Sequence, residues 1–281
     1  MSSLQYLAQI YIRFAISCNY IFMDCIFLHY FTTMLKEERL RWILSRLEQD
    51  KKVLLSTLSG ELNVSEDTIR RYIRELSDQG LLKMVRGGAV PHAPGPKHFT
   101  DRIHVASKDK QDIAQKAVSL LHDGQVVIFD GGTSTLAVAG ILPKDLQITV
   151  VTNSFPVASM LENHENAEVL FAGGRLFKDS FVTVGFDTIR FFQNIRADIC
   201  FLGICSIHLQ LGITSHSYEE SEVKKTIVAA SSQVVALTTL EKIDTAEPFY
   251  ICSATSLNAI ITTSPEHPKL EPFSEVGISI L

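Results

Sequence analysis

From Met34 onward, apolar positions recur with the spacing of α-helices. In "LKEERLRWILSRLEQ", residues 35–49, apolar residues alternate with charges in the pattern of an amphipathic helix. Its apolar face is predicted to be Leu40, Ile43, Leu44 and Leu47. The segment "VLLSTLSGELN", residues 53–63, predicts a second, shorter helix. These are the first two elements of a predicted series of three helices and a hairpin.

The third helix, in "VSEDTIRRYIRELSDQG", carries signals at both of its ends. Ser65 can cap it, the acidic pair that follows suits its positive N-terminal end, and a glycine lies just past its last turn. Its buried face is predicted to be Ile69, Ile73 and Leu76. The next segment, "LLKMVRGGAV", predicts two short strands around a Gly-Gly turn, which completes a winged helix-turn-helix.

The composition changes at "PHAPGPKH", residues 91–98. Three prolines and a glycine predict a stiff linker and a domain boundary. After the linker, residues 100–124 predict one amphipathic helix that ends at Gly124. The expected organisation is an N-terminal extension over 1–33, the winged helix-turn-helix domain over 34–90, the linker, and a second domain over 99–281.

The second domain alternates strand and helix. Strands buried on both faces of a parallel sheet are predicted for "QVVIF", "QITVVT", "AEVLFA", "ADICFLG", "QVVALTT" and "NAIITT". Helical patterns such as "LAVAGIL", "PVASMLEN" and "SEVKKTIVAAS" separate several of them. The predicted fold class is α/β, with the N-terminal domain followed by a Rossmann-like, mostly parallel α/β/α domain.

Composition and charge exclude some functional classes of protein. The chain has 281 residues and a formal net charge of −5, which excludes a generally basic, histone-like binder. Residues 34–92 nevertheless hold eleven Lys/Arg against nine Asp/Glu, so a local basic patch is expected there. The five cysteines, an odd number without CxxC spacing, disfavour a disulfide framework and a zinc site. We expect a cytoplasmic protein without a bound metal or other cofactor.

Residues 1–33 are apolar and aromatic, and two interpretations of them stay open. Arg13 and Asp24 interrupt the stretch, and its longest clean run, residues 14–23, is too short to span a bilayer. Either the segment is a membrane anchor, or Met34 is the true start and the upstream residues are a gene-calling artefact. We favour the second interpretation and expect no membrane partner.

The third helix has the side chains of a helix that enters the major groove of DNA. Arg can fork onto guanine or hold a phosphate, and Ser and Thr can bond phosphate. The contacts to double-stranded DNA are predicted to come from Ser65, Thr68, Arg70, Arg71, Tyr72, Arg74, Lys83 and Arg86. An Arg-rich helix can also be merely solvated, but the spacing of three helices and a hairpin favours DNA.

Polar loops follow all six predicted strands; they are "DGGTST", "TNS", "AGGR", "GICS", "TTLEK" and "TTSP". Turns favour Gly, Ser and Thr whether or not they bind a ligand. This preference can explain a single polar loop, but it explains six of them together less well. Ligands of open parallel sheets bind at the carboxyl ends of the strands. In the first loop, Gly131 and Gly132 admit a ligand to backbone N–H groups, while Thr133, Ser134 and Thr135 add hydroxyls. Because the loop lacks the P-loop Lys and the GxGxxG spacing, it favours a small phosphorylated metabolite over a nucleotide.

Several of these motifs carry a resemblance to a known family. "VSEDTIRR" and "GLLKMVRGGA" resemble the N-terminal domain of the DeoR family of bacterial transcriptional regulators. "DGGTST", "VVTNS", "FAGG" and "FLGICSI" resemble the family's effector domain, which is similar in fold to ribose-5-phosphate isomerase and binds sugar phosphates. The resemblance implies a pocket lined by Asp130, Gly131, Gly132, Thr133, Ser134, Thr152, Asn153, Ser154, Gly173, Gly174 and Gly203. It also implies positive charge from Lys224 and Lys242, although a solvated role stays equally open for both.

The chain departs from the family pattern at three places. Tyr72 stands where the family commonly has Asp after the Arg pair, which bears on the operator contacts. Thr239 and Glu241 lie in a segment where Asp-x-Ser-Lys is usual. Cys205 and Ser206 replace a Gly-rich turn. The last two departures lie on the expected rim of the pocket and bear on the choice of effector.

Two functions compete for the C-terminal domain, an isomerase and a sensor. An aldose–ketose isomerase needs a positioned base, for which Asp130 is the candidate. No second acid or base is convincing, because Glu219, Glu220 and Glu222 form a charged cluster typical of a solvated helix start. We therefore predict a sensor without catalysis.

The predicted function is a DNA-binding transcriptional regulator controlled by a phosphorylated sugar. By the family's commoner behaviour it represses genes of carbohydrate metabolism. DNA half-sites one helical turn apart predict a homodimer or homotetramer. The alternatives are a sugar-phosphate isomerase-like enzyme and a regulator whose C-terminal domain only oligomerises.

Overall fold

The structure, a computed structural model, describes residues 34–50, 52–91 and 98–281. The chain separates into two compact units, Met1–Pro91 and His92–Leu281. The N-terminal extension and nearly all of the predicted linker lie outside the described residues, so the interpretations made for them stay predictions. Within the described part, no helix is long and apolar enough to cross a membrane.

The first unit is a winged helix-turn-helix, as predicted. Its helices are α1 (Lys36–Asp50), α2 (Leu55–Leu62) and α3 (Glu66–Asp78). Its strands are β1 (Val53–Leu54), β2 (Lys83–Val85) and β3 (Gly88–Val90), in the antiparallel order β1-β3-β2. The predicted stripe of α3 is buried against apolar residues of α1 and α2, so the three helices share one core.

The second predicted helix begins later than the pattern indicates. Val53 and Leu54 pair with β3 as strand β1, and α2 starts at Leu55. Glycine at position 88 allows this pairing, because a Cβ there would lie 1.8 Å from the Val53 carbonyl oxygen. The strand therefore depends on a contact distant in sequence, which the local periodicity does not contain.

The single helix predicted over residues 100–124 is wrong. The segment forms two helices, α4 (Phe99–Ile103) and α5 (Ser107–Val118). Ala106, with a left-handed φ of 49°, separates them, and left-handed backbone cannot continue an α-helix. The α4 segment is instead held by the Phe99 N–H, which donates to the Asp179 carbonyl at 2.7 Å.

Among the described residues of the second unit, seven strands form one parallel sheet. The seven strands are β4 (Val126–Phe129), β5 (Ile148–Thr152), β6 (Ala167–Phe171), β9 (Ala197–Gly203), β12 (Ser231–Leu237), β14 (Ala259–Ile261) and β15 (Ser279–Ile280), and all but β15 match the predicted strands. Their order in the sheet is β15-β14-β12-β9-β4-β5-β6. The chain runs from β4 outward to β6 on one side and then from β9 outward on the other.

Helices cover both faces of this sheet, as expected for an α/β/α domain. One face packs against α5, α6 (Thr133–Gly140) and α7 (Phe155–Met160). The other packs against α8 (Phe186–Gln193), α9 (Tyr218–Ala229) and α10 (Glu271–Glu275). Successive strand residues enter opposite cores, which is why the strands are apolar throughout.

Two antiparallel elements were not predicted. One is the hairpin of β7 (Arg175–Phe177) and β8 (Val182–Val184), and the other joins β10 (Ser206–His208), β11 (Gly212–Ser215) and β13 (Phe249–Cys252). Both leave the carboxyl edge of the large sheet, directly after β6 and β9. They therefore enclose the loops on which the candidate ligand site depends.

Candidate functional sites

The large sheet has one topological switch point, between β4 and β9. Successive strands run to opposite sides from this pair, so the loops that follow β4 and β9 diverge and leave a crevice. Ligands of open α/β sheets bind outside the carboxyl ends of the strands at such a point. The two loops here begin at Asp130 and at Ile204, which directly follows Gly203, the last residue of β9.

Asp130 and Lys224 meet at this switch point. Asp130 is 2% exposed, and its Oδ2 atom accepts a hydrogen bond from the Gly203 N–H at 2.9 Å. The ammonium of Lys224, 1% exposed, forms an ion pair with the same oxygen and donates to the Gly203 carbonyl at 3.0 Å. Of the two roles left open for Lys224, the solvated one is therefore wrong.

The buried charges around Lys224 explain its protonation state. Burial by itself would lower the pKa of Lys224, but Asp130 and Glu220 raise that pKa above its usual range. Burial raises the pKa of the Asp130 carboxyl, and the Lys224 ammonium opposes the rise. Glu220, expected to be solvated, is instead 4% exposed, and its Oε1 atom lies 3.7 Å from Lys224 Nζ. One turn of α9 separates the two residues, which places them on the same face.

The glycines of the first loop are required by close packing. A Cβ at Gly131 would lie 2.3 Å from a methyl group of Val182, and one at Gly203 would lie 2.7 Å from the Gly131 carbonyl oxygen. Gly132 has a φ of 146°, in the region that favours glycine. Thr133 follows as the first residue of α6 and is partly exposed.

Not every hydroxyl of this loop is available to a ligand. Ser134 is 6% exposed, whereas Thr135 is fully buried. The Thr135 hydroxyl donates to the Gly132 carbonyl at 2.9 Å and thereby fixes the turn. The assignment of Thr135 as an effector ligand stays a prediction.

The "TNS" loop after β5 is closed by the unpredicted hairpin. Thr152 donates to the Phe129 carbonyl at 2.7 Å, Asn153 donates to the Thr183 carbonyl at 2.7 Å, and Ser154 caps α7. All three are at most 2% exposed. Thr152 and Ser154 thus stabilise the loop, and their assignment as effector ligands stays a prediction. Asn153 Oδ1 has no hydrogen-bond partner among the described residues. Of these three side chains, Asn153 is therefore the one with an acceptor atom left unused.

Gly173 and Gly174 lie at the end of β6, the edge strand, two strands away from the switch point. A Cβ at Gly174 would meet Thr188 Oγ1 at 2.2 Å, and the Thr188 hydroxyl donates to the Gly173 carbonyl at 2.7 Å. Their local role is the packing of α8 against the hairpin, and the structure does not bring them to Asp130.

A group of cations lies at the same edge of the sheet. Lys242 donates to the carbonyl of Ile204, the neighbour of Gly203, at 2.8 Å. Lys110 is 7% exposed and donates to the Arg102 carbonyl. Burial, then Lys242 and Arg102, lower the pKa of Lys110 to about 8. Burial also lowers the pKa of Lys242, and Arg102 adds to this effect.

No motif in the sequence marks Arg102 as a site residue, whereas the sequence does hold a signal for Lys110. The buried residues of α5 are Lys110, Ile113, Ala114 and Ala117. A lysine on the apolar stripe of an amphipathic helix must find an anion or a carbonyl partner. Arg102 gives no such signal, because α4 is too short to show a pattern.

The departures from the family pattern lie close to these cations. Thr239 is buried, and its hydroxyl donates to the exposed carboxylate of Glu241 at 2.5 Å. Cys205 is partly buried beside His216, and this contact raises the pKa of the imidazole. Ser206 is fully buried and donates to the Thr214 carbonyl at 3.0 Å.

In the first unit, α3 begins as predicted. The Ser65 hydroxyl accepts a hydrogen bond from the Thr68 N–H at 3.3 Å and lies 3.0 Å from the Thr68 hydroxyl. Arg70 is exposed and pairs with Asp67 at 2.7 Å, one turn away. These interactions secure the first turn, the part of a recognition helix that faces base edges.

The placement of Tyr72 on the DNA-facing side of α3 is wrong. Tyr72 is 4% exposed and packs in the core with Ile69 and Ile73. Its hydroxyl accepts a hydrogen bond from Arg39 at 3.4 Å. An aromatic ring here widens the buried stripe beyond the three positions that the spacing predicts.

The exposed face of α3 is basic. Arg71 and Arg74 are exposed, and the Arg71 guanidinium lies 5.9 Å from the centroid of the Tyr72 ring. In the hairpin, Lys83 is partly exposed on β2 and Arg86 is exposed at the turn. The arrangement presents arginines from the helix and further cations from the wing, as binding to a polyanion requires.

Both units match known sequence families. The profile of the DeoR-like helix-turn-helix domain matches residues 39–93, and that of the DeoR C-terminal sensor domain matches residues 105–264. The HTH-type transcriptional regulator GlpR of Haloferax volcanii is 33% identical over 251 residues, covering 88% of this chain and 98% of that protein. The HTH-type transcriptional repressor GlcR of Bacillus subtilis is 31% identical over 251 residues, covering 88% and 96%.

A third relative is named a glycerol-3-phosphate regulon repressor, from Haemophilus influenzae. It is 31% identical over 194 residues, covering 69% of this chain and 76% of that protein. Among solved structures, ribose 5-phosphate isomerase A from Methanocaldococcus jannaschii matches with a TM-score of 0.36 and 16% identity, covering 47% of this chain and 52% of that one.

Proposed function

Since the chain belongs to the DeoR family of transcriptional regulators, we propose that it represses genes of carbohydrate metabolism and that a phosphorylated sugar controls its DNA affinity. The first unit binds operator DNA through α3 and the wing. The second unit binds the effector at the switch point of the parallel sheet.

The DNA-binding half of the proposal rests on α3. Its first turn is capped by Ser65, its apolar face is fully buried, and Arg71 and Arg74 are exposed. In this geometry α3 lies in the major groove, with arginines placed for guanine or phosphate. Lys83 and Arg86 contact the backbone from the wing and add affinity without sequence preference.

One observation carries the effector site: Asp130, Gly203 and Lys224 converge at the switch point. Beside them, Gly132 is partly exposed, and Thr133 and Ser134 begin α6, whose N-terminus favours an anion. Sugar hydroxyls and a phosphate need this mixture of polar and cationic groups. The relative named for a glycerol-3-phosphate regulon supports a phosphorylated ligand.

The site is built for binding without turnover. A general base must be free to accept a proton from the substrate. Asp130 already accepts from Gly203 and pairs with Lys224, so its carboxylate orients the two loops. Turnover of ribose 5-phosphate by the purified protein would contradict this assignment.

The protein acts as a homodimer or homotetramer. Operators of helix-turn-helix proteins carry half-sites about one helical turn apart, and a single recognition helix reads only one of them. Light scattering after size-exclusion chromatography measures the assembly. A monomer at the concentrations where DNA is bound would contradict this part of the proposal.

A thermal-shift screen against phosphorylated sugars and polyols tests the effector. A ligand that binds only the folded protein raises the melting temperature by an amount that grows with the ratio of its concentration to Kd. At least one phosphorylated compound should stabilise the protein, while its unphosphorylated form should not. If no compound of the panel stabilises the protein, the C-terminal domain is an oligomerisation module and the effector proposal fails.

A further inference from the structure

We propose that Cys205 is a nucleophilic thiol that small hydroperoxides oxidise to a sulfenic acid, and that His216 transfers the proton of the reaction. Cys205 follows Gly203 and Ile204 at the end of β9, at one of the places where this chain departs from the family pattern. The inference goes beyond the proposed function, because the thiol chemistry needs neither DNA nor an effector.

The pairing of β10 with β11 brings Cys205 and His216 together. The two strands are antiparallel, and Ser206 lies opposite Thr214. Continued by one position, this register places Cys205 opposite Ser215, the neighbour of His216. Since β11 ends at Ser215, the chain bends at His216, and the imidazole interacts directly with the Cys205 side chain. The fold thus supplies the thiol with a proton-transfer group.

The surroundings of His216 favour its charged form. Interaction with the Cys205 side chain raises the pKa of the imidazole above its ordinary value of 6.5, and burial of the ring opposes this rise. Glu220, at the start of α9, also raises this pKa, whereas Arg102 lowers it. The Nε2 atom of His216 is buried and has no hydrogen-bond partner among the described residues. The ring therefore keeps a nitrogen that can exchange a proton with the thiol.

Two ammonium groups lie beside the residues that precede Cys205. Lys224 donates to the Gly203 carbonyl at 3.0 Å. Lys242 donates to the Ile204 carbonyl at 2.8 Å. Both ammonium groups lie within electrostatic range of the Cys205 side chain. Positive charge beside a cysteine stabilises the thiolate, which is the nucleophilic form.

The other two cysteines that the structure describes have a different environment. Cys200 is fully buried in β9, and Cys252 is 7% exposed in β13. Burial raises the pKa of the Cys200 thiol to about 12 and that of the Cys252 thiol to about 11. A protonated thiol that is shielded from solvent is inert. Cys205 is partly exposed, so a small oxidant can reach its sulfur.

The oxidation is balanced with a hydroperoxide as its co-reactant. The thiol passes its proton to His216, and the thiolate sulfur attacks one oxygen of the hydroperoxide. An S–O bond forms, the O–O bond breaks, and the sulfur gives two electrons to the departing oxygen. His216 returns the proton to that oxygen, which leaves as water or as an alcohol. The product is a sulfenic acid, which thiols can reduce again.

Alkylation by iodoacetamide measures the nucleophilicity of each cysteine in the full chain. Chymotrypsin cleaves after Phe201 and so separates Cys200 from Cys205, and mass spectrometry then follows each fragment by itself. At about pH 6, Cys205 should react about tenfold faster than free glutathione, because an ordinary thiol is almost fully protonated there. Cys200 and Cys252 should stay unmodified until the protein is unfolded.

His216→Gln keeps a polar side chain but cannot carry the positive charge. It should slow the alkylation of Cys205 about tenfold at about pH 6 and move the rise of the rate to higher pH. His122→Gln is the matched control, because His122 is an exposed histidine that precedes β4 at the opposite edge of the sheet. The control should react like the unmodified protein. A purely structural His216 would leave the pH profile of the rate unchanged.

Dimedone, which reacts with sulfenic acids, measures the oxidation itself. After treatment of the unmodified protein with hydrogen peroxide, the dimedone adduct should form on Cys205. Dithiothreitol added before dimedone should abolish the adduct, because it reduces the sulfenic acid. In His216→Gln, the rate of adduct formation should fall about tenfold at about pH 6.

Three results would overturn the inference. The nucleophilic role fails if Cys205 reacts no faster than glutathione at about pH 6, and the role of His216 fails if His216→Gln keeps the original pH profile. Rapid alkylation without a dimedone adduct would refute the oxidation step. If His216→Gln does not fold, as alkylation of Cys200 would reveal, the pH profile of Cys205 in the unmodified protein against that of glutathione decides the result.

Discussion

Lys224 of α9 and Asp130 of the first loop form a buried ion pair, although 94 positions separate them in the sequence. The pair holds the loops after β4 and β9 together, because Gly203 donates to the same carboxylate and accepts from the same ammonium. The switch point of the sheet is thus fixed by charge as well as by packing.

Removing one partner of this pair should destabilise the second unit strongly. Lys224→Met leaves the Asp130 carboxylate buried and uncompensated, which costs about 3–5 kcal/mol for pairs of this kind. Chemical denaturation measures the loss in free energy of unfolding. The double variant Lys224→Met with Asp130→Asn should recover part of it.

Lys225→Met is the matched control for that measurement. Lys225 is partly exposed and pairs with Glu222 at 2.6 Å on the same helix. Pairs of this type contribute about 0–1 kcal/mol, so the control should change stability little. Equal losses for the two lysines would contradict the buried role of Lys224.

Tyr72 provides a test that separates packing from DNA recognition. Tyr72→Ala removes a buried ring and should cost the first unit about 3–5 kcal/mol. Tyr72→Phe keeps the ring and loses only the long hydrogen bond from Arg39, so DNA affinity should stay within a factor of about two, or ~0.4 kcal/mol. Fluorescence anisotropy with labelled DNA measures the affinity. A large loss of affinity in a stably folded Tyr72→Phe would place the hydroxyl at the DNA after all.

Arg71 and Arg74 should account for much of the DNA affinity. Arg71→Ala and Arg74→Ala each remove one arginine. If that arginine binds a phosphate, the slope of the logarithm of the DNA-binding constant against the logarithm of the salt concentration should decrease in magnitude by about one. If that arginine binds a base, the variant should bind its DNA more weakly by about 1–3 kcal/mol. Arg190→Ala removes an exposed arginine from the second unit and serves as the control. Unchanged DNA affinity in both α3 variants would overturn the recognition-helix assignment.

The stability of the second unit should depend on pH through Lys110. Burial, then the neighbouring cations Lys242 and Arg102, lower the pKa of Lys110 to about 8, with Glu241 opposing them. Because the folded pKa of Lys110 is lower than its ordinary value of 10.5, the unfolded chain binds more protons between pH 8 and 10.5. The contribution of Lys110 to the free energy of unfolding therefore rises over that interval. The difference between the unmodified protein and Lys110→Met measures this contribution together with the change that the substitution causes in the titration of the neighbouring Lys242.

Local periodicity predicted the elements whose contacts are local or repetitive. The six apolar strands, the cap at Ser65 and three of the four buried residues of α3 follow from the local pattern, whereas Tyr72 does not. It failed where a distant contact decides the conformation. Val53 and Leu54 form a strand because β3 lies beside them, and Ala106 breaks a helix that the pattern would continue.

The loops of the candidate site could be predicted from the sequence, but the charged side chains that meet there could not. Gly131 and Gly132 after β4 and Gly203 at the end of β9 are visible in the sequence, and parallel strands must bring their ends to one edge. The hairpin of β7 and β8, which buries Thr152 and Ser154, is too short to leave a periodic signal. Arg102 reaches the site only because α4 is anchored to Asp179, a contact that no spacing reports.

The proposed control of DNA binding by a phosphorylated ligand at the carboxyl edge of the sheet can be measured directly. DNA selected by the protein from a random-sequence pool is titrated by anisotropy, with and without each member of the phosphorylated panel. For the unmodified protein, at least one member should change the DNA affinity by about 5- to 150-fold, the usual range of allosteric coupling. Thr133→Ala should bind the same DNA equally well and lose that response. An affinity that no phosphorylated compound changes, or a response that Thr133→Ala retains in full, would contradict the account.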